Sequence, residues 1–448
     1  MPSVIFFTDI SEPEIVFLNE VYDHLAQKGI TLRVVVFKDY HRCIKKLKCD
    51  YIYLKTFNLF TLSLPDRKKR DINSYNGDFL QKLVLLEKEI NEKYEIDITD
   101  YECRFNNLIG FVENMAKAAS AYFVASRPYT VYKVIKKVLA DKNINFIPFE
   151  KWVFAGAYQF NIYGIHKPKF DNDLENGDEK SYRMLLENLL LNYKGRHNVP
   201  EKQISLPSKY VLLLLGDGCG GGFSLKNTEE YWTIGKGWGN DFEVLSKVQE
   251  CVREILPDIK LLVRQHPYTK YKFEKQHVNS PNTILADHAE LDSLVSNADI
   301  VITVPGSIYY YSLAKGKKVV ILGNGELCGS EAVKCVDSVD ELRGYISQVS
   351  ENKEVLNINK EKVIEAIMPY FKNQVWVNSE TFTYRVLDKY IEGKTRTKES
   401  IFIWHLEKLR ILKHQVFVYI KSKLFAVCSK IKIQFKKFFG AENQTSLE

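Results

Sequence analysis

The sequence predicts an α/β protein of two Rossmann-like domains facing a central cleft, followed by a basic amphipathic helical tail. Three observations predict it. Short apolar runs alternate with helical patterns in both halves of the 448-residue chain, as in parallel sheets covered by helices. The run 211–215 is wholly apolar, which suits a strand buried on both faces. From 401 to 440, nine Lys and Arg stand against one acid, Glu407, with aliphatic and aromatic residues between them.

Taken in order, the run 4–7 ends at Thr8-Asp9, a helical pattern fills 12–28, and Gly29 stops it before the β-branched run 32–37. That is one β-α-β unit. A further strand is expected within 51–63 and a charged helical insertion over 65–100. The strand 121–125, a helix over 129–141 and a short strand over 145–148 complete the first domain, residues 1–165. Residues 166–207 are polar and charged around a helix near 180–194 and read as the interdomain connection. The second domain, 208–375, starts with the strand at 210 and continues with a helix over 241–255 and strands over 260–264, 299–303 and 318–322. A helix over 307–315 lies between the last two. Residues 376–448 carry the C-terminal helices and the basic tail, which suits an anionic membrane surface; a helix packed back on the protein is the plainer reading.

Composition narrows the class. Hydrophobic residues make up 45% and charged residues 27%, enough for a real core and against a disordered or fibrous chain. The net charge is 63 − 56 = +7. The eight cysteines form no C-x-x-C pair, so a reduced chain with packed thiols is expected. The N-terminus has no basic region or cleavage site, so no signal peptide is expected, and no run of about 18 apolar residues predicts a membrane-spanning helix. No nucleic-acid-binding module is recognisable.

Three features fall where strands of the second half end, the edge at which open α/β sheets bind ligands. Asp217 and Gly218 open the glycine-rich stretch 216–222, where backbone can approach a ligand and a carboxylate can reach it. It lacks the Gly-Lys-Ser/Thr of a nucleoside-triphosphate loop. Arg264, His266 and Pro267 follow the strand 260–263, presenting an imidazole and a guanidinium suited to phosphate. Gly306 and Ser307 precede a helix, whose free N–H groups make an anion site. Each has a plainer reading: a loop without a ligand, a packed histidine, an N-cap serine. Together they point to a phosphorylated, nucleotide-like ligand. In the first half, Glu150, Trp152, Tyr158 and Asn161 interleave an acid, aromatics and glycines after a short strand, which suits a loop against a sugar face or an aromatic core corner.

The series Glu150, Gly156, Gly164-Ile165, Asp217, Arg264-Gln265-His266-Pro267, then 299–303, Ser307 and the stretch 316–323 resembles bacterial capsule-polysaccharide glycosyltransferases, including the retaining Kdo transferases that use CMP-Kdo. The resemblance covers roughly 120–350. The short acid-Gly pair Asp217-Gly218 and the pair His266-Pro267 are also similar to motifs of bacterial sialyltransferases. Ser312 stands where many such relatives carry a glutamate. The resemblance implies a GT-B glycosyltransferase that needs no metal or other cofactor. It would act in surface-polysaccharide synthesis (capsule or lipopolysaccharide) at the cytoplasmic face of the bacterial plasma membrane, with a glycan or lipid-linked glycan acceptor. It implies donor contacts from Gly218, Arg264, His266, Pro267, Gly306 and Ser307, catalytic carboxylates at Asp217 and Glu150, and an acceptor side at Trp152, Tyr158 and Asn161. The alternatives are an inverting GT-B transferase using a UDP- or GDP-sugar, and a non-catalytic glycan- or nucleotide-binding subunit.

Overall fold

The structure, a computed structural model, describes residues 2–55, 64–65, 79, 83, 98–127, 129–161, 179–193, 205–215, 238–266, 272–278, 280–287, 289–351, 359–377, 384–392 and 399–440. The first sheet contains β1 (Ser3–Ile10), β2 (Thr31–Asp39), β3 (Asp50–Tyr53), β4 (Ala121–Ala125), β5 (Phe146–Lys151) and β6 (Ala157–Phe160), in the order β6-β5-β4-β1-β2-β3. Among these six strands all pairings are parallel except β5 with β6. Three helices accompany it: α1 (Glu12–Gln27), α2 (Ile98–Met115) and α3 (Thr130–Asp141). The start of α1 is set locally. Ser11 N–H donates to the Glu14 carboxylate at 3.1 Å in a capping box, with Pro13 in the first turn. Gly29, at φ 68°, takes the left-handed conformation that ends it. Of the stretch 51–63, the described part of the strand is Asp50–Tyr53; most of the 65–100 insertion lies outside the described residues.

In the second half, α4 (Glu179–Leu191) leads to a sheet of β7 (Tyr210–Leu215), β8 (Lys260–Gln265), β9 (Thr283–Leu285), β10 (Ile300–Thr303), β11 (Lys318–Leu322) and β12 (Val333–Val336). Its order is β12-β11-β10-β7-β8-β9, and every pairing is parallel. The associated helices are α5 (Asp241–Ile255), α6 (Leu291–Asn297), α7 (Ser307–Ala314), α8 (Val339–Glu351) and α9 (Lys360–Lys372). Asn240 caps α5 by accepting from the backbone N–H groups of Phe242 and Glu243. In both sheets, the first strand of the unit is flanked by the second on one side and the fourth on the other. This is the Rossmann order, and it places a crevice between β1 and β4 in one sheet and between β7 and β10 in the other. The expected pair of Rossmann-like units, a GT-B arrangement, is therefore present.

After α9, β13 (Gln374–Trp376) returns to the first sheet and pairs antiparallel with β6. A shared core surrounds this crossing: Trp152 and Phe154 from the first half pack with Tyr310, Phe371 and Trp376. At its centre is Glu326, 2% exposed. Its carboxylate accepts from Tyr310 Oη, from Tyr309 Oη at 3.4 Å and from Trp152 Nε1 at 3.4 Å, and its carbonyl accepts from Tyr370 Oη.

The last two helices, α10 (Arg385–Ile391) and α11 (Glu399–Gly440), belong with the first sheet. Asp388 of α10 pairs with His24 at 2.7 Å. In α11, Trp404 is buried and its Nε1 donates to Asp50 Oδ2 at 2.6 Å, while Lys408 pairs with the same carboxylate and Asn114 donates to Glu407. The plainer reading of the tail therefore holds for its first turns, and Trp404 and Ile411 are core residues, not part of an exposed amphipathic face. Beyond them Gln415 Nε2 still donates to the Tyr53 carbonyl at 2.8 Å, and the apolar side chains that follow are exposed, Phe417 at 63% and Phe425 at 75%. No helix among the described residues is long and apolar enough to cross a membrane. One cysteine expectation is corrected: Cys328 and Cys335 form a disulfide, because the turn after β11 folds back beside β12 and brings their Cα atoms to 5.7 Å.

Glu326→Ala should destabilise the protein by on the order of 3 kcal/mol in chemical denaturation, since it leaves three buried donors without an acceptor. Glu326→Gln should cost clearly less. Equal losses would mean that the site needs the charged, two-oxygen acceptor itself, and that volume and one amide oxygen recover nothing.

Candidate functional site

Four of the predicted residues meet at the carboxyl edge of the second sheet. Arg264 lies in register with Leu214 and, through it, with Thr303, so the ends of β8, β7 and β10 are level. Thr303 Oγ1 donates to the Leu214 carbonyl at 2.9 Å, tying the two strands that border the crevice. Gln265 holds the next step: its N–H donates to Asp287 at 2.7 Å, and its side-chain oxygen accepts from Phe273 N–H at 2.7 Å. His266 follows directly, half-buried, with its carbonyl accepting from Lys272 Nζ at 2.8 Å. On the other side of the crevice, Gly306 is the N-cap of α7 and Ser307 its first residue, both half-buried. Ser307 is thus not the N-cap, and no side chain caps this turn. The helix starts without a side-chain cap at a sheet edge that also carries His266 and the 5% exposed Arg264, a combination suited to an anion. Asp217, Gly218 and Pro267 lie outside the described residues.

The first-half candidates are dispersed. Glu150 sits near the end of β5, half-buried and opposite Gln159 of β6. Trp152 is 1% exposed in the shared core, and Tyr158, 3% exposed, stacks on Phe17 with ring centroids 3.8 Å apart. Neither presents a ring face to a sugar in this structure. Asn161 is half-buried, its N–H donating to the Pro148 carbonyl at 3.2 Å. Ser312 is buried and donates to the Ile308 carbonyl one turn back, so it lies in the helix packing and not at the edge. Among the described residues, no group of three or more His, Cys, Asp or Glu could hold a metal ion.

Sequence reasoning passed over the crevice of the first sheet. Asp9, near the end of β1, is 1% exposed; its Oδ1 accepts from Tyr132 Oη at 2.7 Å. Burial raises its pKa to about 6, against the smaller opposing pulls of the Tyr132 hydrogen bond and of Arg127 and Lys38. Nearby, Glu14 pairs with Lys151 at 3.0 Å and Arg127 at 3.6 Å. Burial pushes the Glu14 pKa up, but Lys151, Ser11 and Arg127 outweigh it and hold it below the ordinary value. The signal was present in the sequence: a polar Thr8-Asp9 step at a strand end, followed by the Ser11–Glu14 capping box.

No family model matches the sequence, and no curated protein matches it. Among solved structures, the chain is similar to two KpsC enzymes of Thermosulfurimonas dismutans. The β-Kdo 2,4 transferase is 12% identical, with 61% of this chain and 87% of that one covered and a TM-score of 0.39. The β-Kdo 2,7 transferase is 12% identical, with 71% and 95% covered and a TM-score of 0.39. A putative UDP-N-acetylglucosamine 2-epimerase from Listeria monocytogenes is 11% identical, with 89% and 99% covered and a TM-score of 0.38. The class rests on the two Rossmann strand orders themselves, and these likenesses carry no argument about the reaction.

Because the Asp9 pKa is raised from 3.8 to about 6, stability falls as pH rises between these values, where the unfolded chain loses this proton first. The penalty is complete above them, where the folded protein carries the buried charge. The favourable state is complete below about pH 4 and lost as pH rises through 6. Asp9→Asn should therefore stabilise the protein above pH 7 by on the order of 3 kcal/mol and by little at pH 4. Thermal melts at the two pH values check this, and a gain independent of pH would remove the charge as its cause.

Proposed function

We propose that the protein is a glycosyltransferase of bacterial surface-polysaccharide synthesis that transfers an acidic sugar, Kdo, from a CMP-activated donor to a glycan acceptor. The observation that carries this reading is the second sheet's carboxyl edge, where Arg264, His266 and the uncapped start of α7 flank one crevice in a protein of two Rossmann-like units. The resemblance of the His-Pro and strand–Ser–helix elements supplies the donor class. An anomeric centre losing phosphate passes through an oxocarbenium-like state, so the reaction needs two things: a cradle for the departing phosphate and carboxylates near the anomeric carbon. In this proposal His266, Arg264 and the N–H groups of α7 hold the CMP phosphate. Asp217 serves as nucleophile or base, Glu150 deprotonates the acceptor, and no metal takes part.

The free part of α11 gives the reading its location. Leu412, Phe417, Leu424 and Phe425 are exposed on a helix that also carries Lys413, Lys421 and Lys423, a composition that adsorbs to anionic lipid. We place the protein at the inner face of the plasma membrane, where a lipid-linked acceptor would lie.

Calorimetry with CMP, UDP and GDP tests the donor. CMP should bind selectively, and His266→Ala should weaken it at least tenfold. Preference for UDP or GDP would move the reading to an inverting transferase, and no binding of any nucleotide would end it. Deleting residues 416–448, which spares the packed turns of α11 through Gln415, should abolish binding to vesicles containing anionic lipid but leave CMP binding intact. Unchanged vesicle binding would take the membrane out of the proposal.

A further inference from the structure

The crevice of the first sheet has its own chemistry, distinct from the nucleotide edge. It opens between the ends of β1 and β4, where the strand order reverses. Asp9 is its floor. One carboxylate oxygen is held by Tyr132, and the other, Oδ2, is buried without a hydrogen-bond partner. A buried carboxylate oxygen left unpaired is costly, and structures keep such groups where something else completes them.

The surroundings are cationic and reach solvent. Arg127 and Lys151 have side chains 29% and 31% exposed, both beside Glu14. Lys38, from the end of β2, interacts with Asp9, and burial then charge pairing act in opposite senses on its own pKa, with burial prevailing. Tyr40, 45% exposed, lies under the Lys38 ammonium at 4.3 Å, and Tyr129 stands by Tyr40 at the rim. Three cations, two acids and three tyrosine rings thus gather at one sheet edge. Tyr132 on α3, Arg127 and Tyr129 ahead of it, Lys38 at the end of β2, Tyr40 after it, Glu14 on α1 and its partner Lys151 on β5 are the charged and titratable groups around Asp9.

We propose that this crevice binds the anionic end of a carbohydrate, a sugar acid or sugar phosphate, with Asp9 standing in for the ligand's charge in the free protein. On binding, the ligand anion takes over Arg127 and Lys38. Asp9 takes up one proton from solvent on Oδ2 and donates it as a hydrogen bond to the ligand. The exposed ring of Tyr40 is positioned for the sugar's apolar face. In the transferase reading, on which the identity of the ligand as acceptor rests, this is where an acidic glycan terminus sits. The physical logic is charge exchange. A partly buried cationic crevice without ligand needs a counter-anion, and a carboxylate that can accept a proton vacates the role when a better anion arrives.

The test is calorimetry of the full chain with three probes: the methyl glycoside of glucuronic acid, glucose 1-phosphate, and neutral methyl glucoside. Titrations at pH 6.5 in two buffers of different ionisation enthalpy count the protons exchanged. An anionic probe should bind, the neutral one at least tenfold more weakly, and binding should be accompanied by proton uptake. The better of the two anionic probes distinguishes carboxylate from phosphate. Arg127→Gln, at a partly exposed position, should weaken the anionic probe about tenfold. Asp9→Asn should abolish the proton uptake while binding persists or tightens. Equal binding of the neutral sugar, no binding of any probe, unchanged affinity in Arg127→Gln, or proton uptake retained in Asp9→Asn would each overturn the proposal. CMP binding in the same preparations keeps the two readings apart. Sugar-acid binding without CMP binding supports this site and counts against the transferase; CMP binding without sugar-acid binding overturns this site alone.

Discussion

The arrangement of the two halves depends on one buried carboxylate. Glu326 takes hydrogen bonds from Tyr309 and Tyr310 of its own half and from Trp152 of the other, inside a core that both halves share. Taking a carboxylate out of water is unfavourable unless several donors meet it, so its position and theirs are fixed together. The two units are also joined by chain: β13 leaves the second half and adds to the first sheet beside Trp152. A junction made of both hydrogen bonds and a strand constrains how the two sheet edges can sit, which any reaction between a donor on one edge and an acceptor on the other requires.

Those two edges are built alike and equipped differently. Each is the reversal point of a Rossmann order, where successive connections leave the sheet to opposite sides. The second edge offers the donors of an anion site: the start of α7, His266 and Arg264. The first holds charge of both signs, with burial raising the Asp9 pKa to about 6. An asymmetry of this kind suits two ligands of different chemistry, a phosphate on one side and a proton-linked partner on the other. The tail adds a third surface. Its packed turns bind Asp50, at the start of the edge strand β3, so the free turns project from the first unit.

Much of this was legible in the chain. The strands 4–7, 121–125, 211–215 and 318–322 are short apolar runs, and burial on both faces of a parallel sheet requires such runs, so each was found. Arg264, His266, Gly306 and Ser307 were legible because strand-end residues in an open sheet share one edge whatever the intervening sequence. The short antiparallel strand Gln374–Trp376 was not legible. Its three residues have no periodicity of their own, and only the exposed side of β6 gives them a partner.

The sequence by itself determined the two Rossmann-like units, the helix starts at Ser11 and Asn240, and the placement of the phosphate-suited residues at strand ends. These follow from local patterns: hydrophobic period, capping side chains, and polar breaks after apolar runs. Tertiary structure alone decided that Trp152 and Tyr158 are core residues, that Trp404 belongs to the first unit, that Cys328 meets Cys335, and that Asp9 is a buried acid among cations. Each of these depends on what packs against a side chain from far along the chain. Burial and charge pairing are properties of that meeting and have no counterpart in the local sequence.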